Sequence, residues 1–158
     1  MTNRFFLAGL LLATTACSGP IETRIASSGA ALPSTTGVAL AEPDQRLTEA
    51  LLTAGYAIDP NGAVLIDLGV SERPATMGIA DQSAPRKRAF LQSCRYRTYR
   101  VTLSAVDRRT GAILARASAE EHHCRAPLAD VAPHLLRQAA AALQADAGER
   151  RLTRDGVN

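Results

Sequence analysis

The sequence has no tryptophan, and aromatic residues make up only 4% of it. That scarcity argues against a deep ligand pocket walled by aromatic rings. Lysine is almost missing as well. Of 18 basic residues only Lys87 is a lysine, and with the abundant alanine this reads as GC-rich codon usage rather than function. An excess of one charge is lacking too, because 18 basic residues stand against 15 acidic ones. A balance so close to neutral is not the footprint of a nucleic-acid partner. No G-x-S-x-G elbow, P-loop, H-E-x-x-H motif or glycine-rich dinucleotide fingerprint occurs, so the sequence supports no enzyme and no bound cofactor. Asp59, Asp67 and Glu72 fall near strand ends, where turn or strand-edge roles suffice, and His134 has no evident partner. There is no internal repeat. After the first few residues no apolar run approaches bilayer length, so the body is expected to be soluble.

What is present begins at the N-terminus. Asn3 and Arg4 precede the run Phe5 to Ala16, too short to span a bilayer comfortably and ending in small residues before Cys17. This is the layout of an export signal rather than a transmembrane helix. Ala13-Thr14-Thr15-Ala16-Cys17 resembles the lipobox of bacterial lipoproteins. Thr14 stands where leucine is usual, though small residues are tolerated there. The resemblance implies cleavage after residue 16, covalent lipid on Cys17 and attachment to the cell envelope. Ser18 is not the aspartate that retains such proteins at the inner membrane, which makes the periplasmic leaflet of the outer membrane the default destination. The plain alternative is an ordinary cleaved signal with an incidental cysteine.

Residues 17–43 read as a lipid-anchored N-terminus with a first strand at 21–26 and a flexible loop. Asp44 then precedes a helix in which Leu47, Ala50, Leu51 and Ala54 form one apolar stripe, closed by Gly55. Val64, Ile66, Leu68 and Val70 alternate as a central strand, and residues 71–90 are loop-like. A last helix is expected over 131–144, started by Asp130 and accommodating Pro133 in its first turn. The charged residues 146–158 have no periodicity and are expected to be a disordered tail.

The hairpin from Cys94 to Cys124 is the best specified part of the body. Tyr99, Val101, Leu103 and Ala105 alternate in one strand, and Ile113, Ala115, Ala117 and Ala119 alternate in the other. Sharing a face and closing a short turn around Arg109 gives the pairs 105/113, 103/115, 101/117 and 99/119. Carried outward, that register sets Cys94 opposite Cys124, most simply a disulfide in an oxidising compartment. Loop entropy assigns such a ring about 3–4 kcal/mol, less where a hairpin already closes it. The alternative is a metal site or redox-responsive centre made of Cys94, His122 and Cys124, since His122 and Cys124 share a strand face. Two free thiols are a third reading. Cys17 is removed from pairing if lipidated.

Arg86, Lys87, Arg88, Arg95, Arg97 and Arg100 lie close in sequence with Phe90, Tyr96 and Tyr99 among them and no acidic residue between. At an envelope surface they are candidates for binding an anionic polymer, lipid phosphate or an acidic protein. The same register would set Arg97 opposite Glu121 and Thr98 opposite Glu120, with Arg100 diagonal to Glu120, neutralising part of the patch. Arg86, Lys87 and Arg88 lack such partners.

These elements, in the order β-α-β-β-β-α, predict one α+β domain over residues 44–145. It would have a mostly antiparallel sheet of about four strands with two helices packed on one face. Tyr99-x-Val101-x-Leu103, followed by Val106-Asp107 and Thr110-Gly111, resembles a strand-turn-strand pattern of small envelope lipoproteins of proteobacteria. Their domains are similar to those of periplasmic assembly-factor lipoproteins. The expectation is therefore a non-catalytic, membrane-anchored periplasmic lipoprotein that binds an envelope protein or anionic polymer.

Overall fold

A computed structural model describes residues 20–74, 97–124 and 126–155. In chain order the elements are β1 (Ile21–Gly29), β2 (Gly37–Leu40), α1 (Gln45–Thr53), β3 (Ala57–Ile58), β4 (Val64–Pro74), β5 (Arg97–Asp107), β6 (Ile113–His123), α2 (Leu128–Ala142) and β7 (Gly148–Arg154). The strands form one seven-stranded sheet in the order β3-β2-β4-β5-β6-β1-β7. The ladders from β4 through β7 are antiparallel, whereas β2 pairs in parallel with both β3 and β4.

The expected four-stranded sheet and the order β-α-β-β-β-α are therefore wrong. Three strands escaped the pattern for physical reasons. β2 and β3 have four and two residues, too few to display a period. β7 is exposed at six of its seven positions, so it has no apolar alternation to read. Its place in the sheet comes from backbone pairing with β1, from Ile21↔Arg154 to Ser27↔Gly148. Most of the supposed tail is thus an edge strand. Likewise residues 71–74 are no loop, because β5 pairs with β4 as far as Pro74↔Arg97.

The core lies on one face of the sheet. Ile25, Val64, Ile66, Val101, Leu103, Ala105, Ala115, Ala117 and Ala119 meet Leu47 and Leu51 of α1 and Val131, Leu135, Leu136 and Ala139 of α2. Burying each of the larger side chains contributes roughly 1.5–3 kcal/mol. The alanines of β6 leave little relief on this surface, so the alanine-rich stripe of α2 can approach closely. Asp44 caps α1 through its carboxylate, which accepts from the Leu47 amide at 2.9 Å, and Gly55 follows with φ 91°. α2 starts three residues earlier than expected, at Leu128, with Pro127 rather than Asp130 at its cap and no side-chain cap bond. Pro133 consequently lies inside the helix, beyond its first turn.

Ile113 apart, the central hairpin keeps the expected faces but not the expected partners. Its pairs are Ala105↔Ala115, Leu103↔Ala117, Val101↔Ala119 and Tyr99↔Glu121. The Asp107 carboxylate accepts from the amides of Arg109 (3.0 Å) and Thr110 (2.8 Å), and Gly111 takes φ 73°, which folds a wider turn than a closure around Arg109. A register irregularity between Ala105 and Val106 pairs Val106 with Ile113. Ile113 is 56% exposed and does not belong to the buried stripe.

One glycine is demanded by this packing. Gly29, at the end of β1, has φ 86°, and a Cβ there would lie 2.3 Å from the Leu114 carbonyl oxygen. Gly29→Ala is expected to cost about 1–3 kcal/mol through backbone strain alone. Thermal melting should register it as a drop of several degrees; an unchanged melting temperature would mean that the β1 end is free to move away.

Candidate functional site

The face opposite the helices carries no covering element among the described residues. Alternation brings Arg24, Ala26 and Ser28 of β1, Arg100, Thr102 and Ser104 of β5, and Arg116, Ser118, Glu120 and His122 of β6 to this face. Register aligns them in rows across the strands: Arg24, Glu120 and Arg100; Ala26, Ser118 and Thr102; Ser28, Arg116 and Ser104. The result is a hydroxyl floor with guanidinium groups standing on it. Glu120 accepts from Arg100 (Nε 2.7 Å, Nη2 2.5 Å), with Arg73 at 3.9 Å. Glu22 holds Arg24 at 3.1 Å and Arg151 at 3.5 Å. Arg116 differs from these. Its Nε approaches Ser104 Oγ at 3.4 Å, and no carboxylate among the described residues pairs with it. A shallow depression of about 130 Å³ between Arg24, Arg100, Ser118, Glu120 and Glu149 completes the surface.

Of the six basic residues expected to form one patch, only Arg97 and Arg100 are described, and the sheet sends them to opposite faces. Arg100 stands on the open face. Arg97 lies at the rim of the helix-covered face, opposite His123, and donates to Glu72. Arg86, Lys87, Arg88 and Arg95 lie outside the described residues, as do Cys17 and Cys94. The shifted register also replaces the anticipated charge pairs: Arg97 faces His123, Thr98 faces His122 and Arg100 faces Glu120 directly. The described pairing ends at Arg97↔His123, so the expected alignment of Cys94 with Cys124 lies outside the described residues. Cys124 itself is disulfide-bonded. His122 has its Nδ1 at 2.8 Å from Thr98 Oγ1 and its Nε2 at 3.9 Å from Glu120. Among the described residues no cluster of three or more His, Cys, Asp or Glu side chains could hold a metal.

A second polar constellation was not anticipated. Glu121 is fully buried on the helix side of the sheet, where the alanine stripe of β6 runs on past Ala119. Its Oε1 accepts from Thr23 Oγ1 (2.5 Å) and Arg154 Nε (3.0 Å); its Oε2 accepts from Arg154 Nη2 (2.7 Å) and His123 Nε2 (2.7 Å). His134 of α2 brings its Nε2 to 3.3 Å from Oε1. A carboxylate only accepts, so His123 carries its proton on Nε2. Thr23 gives its one hydroxyl proton to Glu121, so His134, with Nε2 at 3.3 Å from Thr23 Oγ1, is protonated on Nε2 as well. Tyr99 leans on His123 with ring centroids 5.9 Å apart and donates its hydroxyl to the Ala126 carbonyl. Burial alone would raise the Glu121 carboxyl, but hydrogen bonds from His123, Arg154 and Thr23 more than offset it and hold the group at about 2. Burial pushes His134 below its ordinary value, against the pull of Glu121. The signal for this cluster was available in the sequence, since residues 121 and 123 share the parity of Ala115, Ala117 and Ala119. What could not be read was that α2 and β7 deliver His134 and Arg154 to the same point.

No protein-family model matches the chain, and no curated protein matches it. Solved structures do. PelC from Paraburkholderia phytofirmans, crystallised as a dodecamer, superposes with a TM-score of 0.50 at 20% identity, over 78% of this chain and 98% of its own. The fold is similar to that of PelC. A PDZ domain protein from Parabacteroides distasonis superposes with a TM-score of 0.52 at 9% identity, over 86% of this chain and 39% of that one. At these identities the likeness concerns architecture alone. No helix among the described residues is long and apolar enough to cross a membrane.

Proposed function

We propose that this protein is a non-catalytic binding module, held at the periplasmic side of the outer membrane by lipid on Cys17, that takes an anionic envelope polymer on its open sheet face. The observation that carries the reading is Arg116, a guanidinium without a carboxylate partner among the described residues, set between Ser28 and Ser104 on an uncovered face. Arg24 and Arg100 stand four positions along the neighbouring strands, so a chain bearing carboxylates could meet several guanidinium groups in turn. The hydroxyls of Ser104, Ser118 and Thr102 suit a sugar backbone, which offers both donors and acceptors. A flat polar face of this kind fits a long ligand held at many weak points better than a small molecule enclosed in a pocket. The absence of catalysis is part of the proposal. It is supported by the closed state of the Glu121 cluster, whose Thr23 hydroxyl is fully buried and whose imidazole Nε2 atoms are turned inward.

Polygalacturonate and neutral dextran immobilised in affinity gels test this reading on the body from residue 18 onward. Retardation by the acidic gel alone is expected, and it should weaken as salt is raised. Arg116→Gln should loosen binding about tenfold, the loss of one charge-assisted contact, while Arg46→Gln on the helix side should not. Equal migration in both gels would refute the polymer reading and leave an envelope protein as the partner to seek by crosslinking.

A further inference from the structure

The C-terminal strand is attached in an unusual way. β7 contributes no buried side chain: six of its seven residues are exposed, and its one large apolar side chain, Leu152, is 40% exposed. Two things hold it. One is the backbone ladder to β1, running from Ile21↔Arg154 to Ser27↔Gly148. The other is Arg154, which reaches across β1 to the carboxylate of Glu121 on β6 and grips both oxygens, Nε on one at 3.0 Å and Nη2 on the other at 2.7 Å. An edge strand with no apolar anchor belongs among the elements that open locally at low free-energy cost. Opening need not leave Glu121 orphaned, because Thr23, His123 and His134 all lie within 3.3 Å of its oxygens. The receptor for the guanidinium would therefore persist after the strand departs.

We propose that the outer edge of β1, with Glu121 set behind it, is a strand-acceptor site for an extended peptide carrying arginine, and that β7 occupies this site in cis. Recognition has two parts. The free amides and carbonyls of β1 pair with any extended backbone, as in strand addition generally. Selection then falls on the residue in register with Ile21, which must carry a guanidinium long enough to cross β1 and planar enough to bridge both oxygens of Glu121. A lysine in that position would satisfy one oxygen at most. The chain's own strand holds the site by proximity, so an outside segment competes only as β7 opens.

Native-state hydrogen exchange on the unmodified body provides the first test. The β7 amides that point at β1 are expected to exchange at least about tenfold faster than the amides joining β5 to β6. Equal rates in the two ladders would overturn the proposal, since β7 would then leave only with global unfolding. Arg154→Gln should speed exchange in β7 alone, and Arg151→Gln, on the opposite face of the same strand, should not. Acceleration of all strands together by Arg154→Gln, or of none, counts against the proposal. A labelled peptide of residues 147–155 supplies the second test, titrated into the full-length Arg154→Gln body. It should bind about tenfold more tightly than the same peptide with glutamine at position 154. Indistinguishable affinities would eliminate the arginine receptor.

Discussion

Replacing Glu121 by alanine is expected to destabilise the protein by about 3–5 kcal/mol, the range for removing one partner of a buried ion pair. The lower part of that range applies to Arg154, whose side chain is 22% exposed and can turn towards water. His123 and Thr23 have no such recourse, being 5% and 0% exposed. Their donors would be left facing an apolar cavity between β1, β6 and α2. The loss should read out as a lower urea midpoint with an unchanged slope. A shift below about 1 kcal/mol would mean that the cluster repacks or admits water at little cost.

The same residue sets an acid dependence whose sign is determined. Its folded-state carboxyl, at about 2, lies below the ordinary 4.5. Its contribution is therefore complete above about pH 4.5 and is lost as pH falls from there towards 2. The full amount is about 3 kcal/mol. His134 acts in the same direction from a higher starting point. Its folded-state value lies below 6.5, so the unfolded chain takes up the proton first and stability begins to fall below that pH. Urea midpoints at pH 7, 5 and 3 should decline throughout for the wild type. Glu121→Gln should start lower and lose less between pH 5 and 3. A parallel decline in both proteins would place the acid sensitivity elsewhere.

The second large effect concerns the anchor. Cys17→Ala is expected to abolish incorporation of labelled palmitate and to turn a detergent-requiring protein into one with no lipid to extract. Each buried methylene contributes about 0.8 kcal/mol, and two or more chains hold a protein stably where a single chain binds reversibly. The body from residue 18, exported behind an ordinary cleavable signal, should appear in the soluble periplasmic fraction. Wild-type protein that takes up no palmitate and washes off without detergent would end the lipoprotein reading.

Local rules were legible wherever one face of an element is buried and the other is wet. The stripe Leu47, Ala50 and Leu51, the cap at Asp44, the left-handed Gly55 and the alternation through Tyr99, Val101, Leu103 and Ala105 all follow from period and turn chemistry, and the structure keeps each of them. Charge was less legible. Arg97 and Arg100 are three residues apart, and an odd spacing on a strand sends side chains to opposite faces. A basic run that looks continuous in the chain is therefore divided by the sheet. The register failed at the end of the hairpin, where one extra residue in the turn after Asp107 and one at the irregularity beside Ala105 changed every cross-strand partner while leaving all the predicted core residues but Ile113 on their proper side.

The amino-acid order by itself determined the main periodic elements and, Ile113 apart, the side of the sheet that their residues take, because each depends on neighbours within a few residues. Folding in three dimensions decided the rest. β7 joins the sheet through backbone groups that every residue carries, so nothing in its side chains announces it. The convergence of Thr23, Glu121, His123, His134 and Arg154 depends on four separate elements arriving together. Contacts between residues far apart in the chain, such as Thr23 with Glu121 at a separation of 98 positions, are set by how the sheet is ordered, and no local pattern encodes that order.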